Sequence, residues 1–302
     1  MKRSIIIILS ICLFFVVSGC KNNSEISQTN YDVTDSRGII VHFDKVPEKV
    51  ISLLPSDTEI IFALGEGTRL IAVSTYCNYP EEALEKQKLE SGINMNIEEI
   101  IGLDPDLVVF GKMVQTDDQI KMLEDSGIKV IVTYAGSIEE TYDVIEMLGK
   151  VFSKEDAAAD IIKDMRKGFE EIADTVSKYA SKKVYVEISP LEYGLWTCGK
   201  GTFQDELLTM VGSENIFSDV EGWGEVSEEQ IISRDPDVII STVGTLADAD
   251  KTISEIKGRA NWNNISAVAV DNVSVVDSDA IQRPGPRLVT AARDLIKCIY
   301  GE

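Results

Sequence analysis

Histidine is nearly missing from this chain: among 302 residues there is one, His42. That scarcity removes most catalytic triads, histidine general bases and imidazole-rich metal sites. Cysteine is scarce as well. Of the five present, Cys12 and Cys20 belong to the N-terminal apolar region, and Cys77, Cys198 and Cys298 form no CxxC. Neither a disulfide framework nor a structural zinc site is indicated. No GxGxxG, P-loop or GxSxG motif occurs. Basic residues are outnumbered, 29 against 51 acids, for a formal charge of −22. Such a surface repels phosphates and anionic head groups, which argues against nucleic acid as a partner. No catalytic residue, resident metal or cofactor is assigned, and an enzyme is not expected.

A membrane-spanning run is also lacking. After Met1-Lys2-Arg3, fourteen mostly apolar residues precede Ser18, whereas a spanning helix needs about 20. A basic start, a short apolar stretch and small residues before a cut are the parts of a secretory signal peptide. Val17-Ser18-Gly19-Cys20 resembles the lipobox of bacterial lipoproteins, which implies removal of residues 1–19 and lipidation of Cys20. The remaining 283 residues lose Lys2 and Arg3 but no acid, so their charge is −24. They would sit on the outer face of the cytoplasmic membrane, held through residues 20–35 as a polar tether.

From there strand-like runs alternate with amphipathic helical stretches, as in an α/β fold with a largely parallel sheet. Val50 to Leu53 reads as a strand, Ser56 to Glu59 as a capping box, and Gly65 as a helix stop. Further strands are expected at 70–73, 107–110, 129–134 and 184–188, with helices from about Thr116 and from Ser137. Residues 154–180 hold no proline and one glycine and read as one helix, roughly 40 Å long at 1.5 Å per residue. It separates an N-terminal α/β lobe, 36–153, from a C-terminal one, 181–302. The halves repeat one another. NIEEIIGLDPDLVVF from Asn96 aligns without gaps on SEEQIISRDPDVIIS from Ser227, and six of fifteen positions are identical, including Glu98 with Glu229. TEIIFALG at 58–65 likewise parallels DELLTMVG at 205–212.

Two such lobes leave a cleft, with ligands expected beyond the carboxyl ends of strands. The loops there carry aromatic and charged groups: residues 74–80, 111–113, Tyr134, 196–200, Trp223 and 279–283. Aromatic faces with a few charges suit a large, flat, partly polar ligand. Tyr79 could instead pack a turn, and Asp279 and Arg283 could form a surface pair of little energetic value.

In order, VISLLPSDTEIIFALG, YCNYPEEA, MNIEEIIGLDPDLVVF, the long helix, GKGTFQDELLTMVGSENIF, VSEEQIISRDPDVII and SDAIQRPGPRL resemble the substrate-binding proteins of ABC importers for cobalamin, haem and iron-siderophores. The resemblance covers essentially all of the chain after the signal, and the cobalamin branch matches best. It implies two Rossmann-like lobes joined by one rigid helix, working as a monomer with a transmembrane permease dimer. It places Tyr76, Asn78, Trp196, Trp223, Asp279 and Arg283 on the ligand, and Glu98 and Glu229 against permease arginines. Gly92 and Gly111 stand where the pattern has tryptophans, which implies a wider cleft. The implied cargo is a corrinoid. Haem, with Tyr76 or Tyr134 as an axial ligand, and a ferric siderophore stay open, with a bare transition-metal ion as the remote alternative.

Overall fold

The computed structural model describes residues 30–92, 95–112 and 117–301. The expected signal peptide, Cys20, Met113 and Thr116 lie outside them. Residues 30–35, expected to be part of the tether, are among the described residues. Strand β1, Tyr31–Thr34, pairs antiparallel with β2, Ile40–Phe43. The Tyr31 ring stacks on Phe43 at 5.3 Å and its hydroxyl donates to the Val151 carbonyl, so these polar-looking residues are fixed to the body.

The N-terminal lobe follows as β3 (Val50–Ser52), α1 (Pro55–Ala63), β4 (Leu70–Ser74), β5 (Gln87–Leu89), α2 (Ile97–Gly102), β6 (Leu107–Gly111), α3 (Asp117–Asp125), β7 (Lys129–Thr133) and α4 (Ile138–Val151). Its sheet is parallel throughout, in the order β5-β4-β3-β6-β7. Every residue of β3 and β6 is buried, because helices cover both faces of a parallel sheet and each strand becomes an unbroken apolar run.

Helix α5, Glu155–Val176, then crosses to the second lobe. Its 22 residues make about 33 Å at 1.5 Å per residue. Ala158, Ile162, Met165, Phe169, Ile172 and Val176 form one buried stripe at helical spacing, and that stripe belongs to a core shared by both lobes. Gly168 explains itself here: an added Cβ would lie 2.5 Å from Val289 Cγ1, so the helix backbone needs the missing side chain to approach its neighbour.

The C-terminal lobe contains β8 (Lys183–Glu187), β9 (Leu195–Cys198), α6 (Phe203–Met210), β10 (Glu214–Asn215), β11 (Trp223–Val226), α7 (Glu228–Arg234), β12 (Val238–Ser241), α8 (Ala249–Lys257), α9 (Ser266–Ala269), β13 (Val273–Val275), α10 (Ser278–Gln282) and α11 (Leu288–Tyr300). Four strands form a parallel sheet in the order β10-β8-β12-β13. Residues 196–198 and Trp223, expected on loops, lie in an antiparallel ribbon of β9 and β11.

The repeated sequence folds the same way twice. Asp104 and Asp235 both take left-handed φ values, 50° and 48°, just after α2 and α7. Two residues on, Asp106 accepts from the Lys49 amide at 2.9 Å and Asp237 from the Lys183 amide at 2.8 Å. Each Asp-Pro-Asp thus ends a helix and ties the next strand to an older one.

Candidate functional site

The strand order of the N-terminal sheet reverses between β3 and β6, the place where such sheets hold ligands. Residues 54–56 leave β3 there to enter α1, Gly111 and Lys112 end β6, and residues 133–135 end β7. Facing them are Ile188 after β8, Phe203 and Gln204 at the start of α6, Trp223 on β11, and Asp279, Gln282 and Arg283 on or after α10. Together these residues wall a cleft of about 480 Å³.

Two parts of this geometry depart from expectation. Residues 56–59 do not form a capping box. Pro55 occupies the first helical turn, its fixed φ starting the helix early, and the N-cap residue is Leu54, whose side chain makes no capping hydrogen bond. Glu59 is thereby released for another use. Second, the space left by Gly111 is filled: a Cβ there would meet Leu54 Cδ2 at 2.5 Å. Leu54 takes the place of the expected widening on that side.

Glu59 joins the lobes. Its side chain, 2 % exposed, accepts from Arg283 Nη1 at 3.0 Å and from Arg287 Nη2 and Nε at 2.7 and 2.8 Å. Arg287 also stands 4.2 Å over the Tyr79 ring, so Tyr79 is a packing residue for that guanidinium. Burial opposes the Arg287 charge, but the Glu59 carboxylate more than offsets it and holds the group above its ordinary pKa. Arg283 donates further to Asp279 at 2.6 Å, to the Asn78 side chain at 2.7 Å and to the Tyr76 carbonyl at 3.2 Å. Asn78 returns a bond to Asp279 at 2.6 Å. The result is a network with no free charge of either sign, built from both lobes at the edge of the cleft.

The expected ligand residues therefore divide. Trp223, Asp279 and Arg283 wall the cleft. Trp223 packs edge-to-face with Phe203, ring centres 6.4 Å apart. Asn78 and Tyr76 reach the cleft through Arg283; Tyr76 as a whole is 65 % exposed. Trp196 is on β9 with its indole donating to the Tyr193 carbonyl at 3.1 Å, and it is not among the lining side chains. Tyr134 lines the cleft with the Lys112 ammonium 5.4 Å from its ring centre.

Sequence reasoning missed Glu59, Arg287, Phe203 and Gln204. The repeat held a signal for the last two: TEIIFALG and DELLTMVG place Ser56 and Asp57 opposite Phe203 and Gln204, two helix starts converging on one cleft. Beneath the cleft, burial pushes the Asp57 carboxyl up to about 7, against the lowering effect of the Thr133 hydroxyl, which donates to it at 2.7 Å. Cys77 and Cys198 are free and buried, and burial pushes the Cys198 thiol up to about 12. Both are inert packing groups in this state. Among the described residues no group of three or more His, Cys, Asp or Glu is placed to hold a metal ion. Glu98 and Glu229 are exposed in the first turns of α2 and α7, away from the cleft lining.

Residues 50–280 match the family model described as periplasmic binding protein. The chain is 36 % identical over 289 residues to the uncharacterized ABC transporter substrate-binding lipoprotein YvrC of Bacillus subtilis, covering 94 % of this chain and 89 % of that one. It is 31 % identical to the vitamin B12-binding protein of Salmonella choleraesuis, over 83 % and 90 % of the two chains. Among solved structures, a possible iron-binding (periplasmic solute-binding) protein from Staphylococcus epidermidis shares 34 % identity and a TM-score of 0.74, over 85 % of this chain and all of that one.

Proposed function

The chain belongs to the periplasmic binding protein family, as a substrate-binding component of an ABC importer, and from that premise we propose that its cargo is a corrinoid. The observation that carries this reading is the cleft wall. Trp223, with Phe203 packed edge-on behind it, gives the wall its aromatic surface, and the Asp279–Arg283 pair stands beside it. A rigid macrocycle edged with polar groups matches that combination, aromatic contacts adding about 0.5–1.5 kcal/mol each beyond area burial. The vitamin B12-binding relative supports the same reading.

An iron chelate is the second reading, favoured by the iron-binding description of the Staphylococcus relative; haem would place its iron near Tyr134. Incubating the protein with cyanocobalamin, haemin and a ferric hydroxamate in equal amounts, then removing free ligand by gel filtration, separates the readings by absorption spectrum. Co-elution of cobalamin is expected. Co-elution of haem or the ferric chelate alone would overturn the corrinoid assignment.

In this reading Cys20 carries a lipid that moors the receptor outside the membrane, and Glu98 and Glu229 dock it on the two halves of the permease. Support for docking comes from the repeat itself, which gives each lobe one exposed acid at an equivalent position.

A further inference from the structure

The charged side chains that line the cleft are paired, with one exception. Asp279 accepts from Arg283 at 2.6 Å and from the Asn78 side chain at 2.6 Å. Lys112 has no such answer. Its backbone amide donates to the Thr133 carbonyl at 2.8 Å, carrying the pairing of β6 with β7 one residue further, and its ammonium lies 5.4 Å from the ring centre of Tyr134. The lysine thus has a fixed backbone and an aromatic ring beside its head, but no carboxylate pairs with it among the described residues. The residues that follow it, Met113 to Thr116, contain no acid. Leu54, Ala135, Phe203 and Trp223 on the same wall carry no charge. Gln204 adds to the pattern: its Oε1 is buried without a hydrogen-bond partner, so the end of its amide left for a ligand is the NH2 donor. Both of these open groups are donors, and one of them carries a full positive charge.

We propose, resting on the chelate-receptor reading of the cleft, that Lys112 holds the cargo by one ionised oxygen group at its edge, a carboxylate or a phosphodiester. An ammonium is a compact charge with three donors on a flexible stem, so it can meet an anionic group on the rim of a ring held elsewhere on the wall. A carboxamide in the same place would offer only a neutral carbonyl oxygen, and charge-assisted hydrogen bonds are roughly twice as strong as neutral ones. The acid excess of the chain, 51 acids against 29 basic residues, does not cancel this attraction. At physiological ionic strength the field of an exposed charge decays over about 8 Å, so the groups on the wall outweigh distant surface carboxylates. A macrocycle laid against Trp223 also displaces water from the cleft, and the same ion pair is stronger there than on an open surface.

Titration calorimetry of the wild type, Lys112→Met and Lys112→Gln tests this, with thermal melts confirming that each variant is folded. Cobinamide, which has no anionic group, cobyric acid, with one carboxylate, and cobalamin, with one phosphodiester, vary the edge of one macrocycle. Haem with two propionates and its dimethyl ester do the same for another. Within the ring that binds, the variants are expected to lose about tenfold or more in affinity for an anionic member and less than about threefold for the neutral one. A loss confined to cobyric acid or to haem assigns a carboxylate, and a loss confined to cobalamin assigns a phosphodiester. Equal losses for charged and neutral members, as lost packing on Tyr134 would give, or no loss, or a wild type that binds only the neutral member, would overturn the proposal and leave the cargo reading standing. Binding of neither ring would overturn it together with the chelate reading.

Discussion

Glu59 and Arg287 are 228 positions apart in the chain and 2.7 Å apart in the fold, and one carboxylate there restrains two guanidinium groups of the other lobe. The flanking arginines are only 12 % and 16 % exposed on their side chains. Removing one member of such a cluster leaves buried charge uncompensated, although Asp279 and Asp277 retain part of the pairing. Glu59→Gln is expected to lower stability by about 2–3 kcal/mol, read from the urea midpoint; a loss under about 0.5 kcal/mol would show that the network contributes little. Asp57 makes the residue-scale prediction for pH. Its folded value near 7 stands above its ordinary 3.8, so between these the native state keeps a proton that the unfolded state has released. Stability from this group therefore falls as pH rises from about 4 to 7 and is level above that. Asp57→Asn lacks the slope, and the urea midpoint of the variant relative to wild type is expected to be higher at pH 8 than at pH 5. An equal difference at both values would place Asp57 in a better-solvated site. None of this was legible locally. Glu59 has the spacing of a capping-box glutamate, and only the lobe-to-lobe fold shows that its partners lie near the C-terminus.

At the scale of elements, the strands most easily read were those buried on both faces. VVF in β6 and VIV in β7 cannot be helix surface, whereas β5, with Gln87 and Lys88, is a polar edge that carries no such signal. The ribbon of β9 and β11 was missed for a related reason. Its glycines and aromatics read as loop, but antiparallel pairing of Trp223 with Cys198 and Val226 with Leu195 sets it as sheet. The repeat was legible because helix, Asp-Pro-Asp and strand recur in order, and the two equivalent helices make a functional prediction. Reversing charge at Glu98 and Glu229 together, Glu98→Lys with Glu229→Lys, is expected to cut transport at least about tenfold while cargo affinity stays unchanged. The helix-dipole role of first-turn acids accounts for only about 0.3–1 kcal/mol apiece, so a melting point nearly unchanged beside lost uptake separates docking from stability. Normal uptake by the double variant would refute docking.

The whole molecule is two parallel-sheet lobes fixed to one helix, and that plan was the most legible feature of all. Alternating strand and helix, a glycine-poor stretch and a repeat on either side of it are each long-range patterns that survive local ambiguity. The cleft was legible only in part: Trp223, Asp279 and Arg283 line it, while Trp196, on the same ribbon as Trp223, is not among the lining side chains, and Gln204 drew no notice as an isolated polar residue beside apolar ones. The acid excess belongs to this scale too, since a strongly negative body disfavours phosphate-rich partners without setting the cargo. The central claim is that the cleft between the lobes captures a corrinoid on its aromatic wall. Calorimetric titration of cobinamide into the wild type and into Trp223→Ala tests it most directly. The account predicts one site per chain in the wild type and, with an unchanged melting point, affinity weakened by about tenfold or more on loss of the ring. Unaltered affinity in Trp223→Ala, or no binding by the wild type, would contradict it.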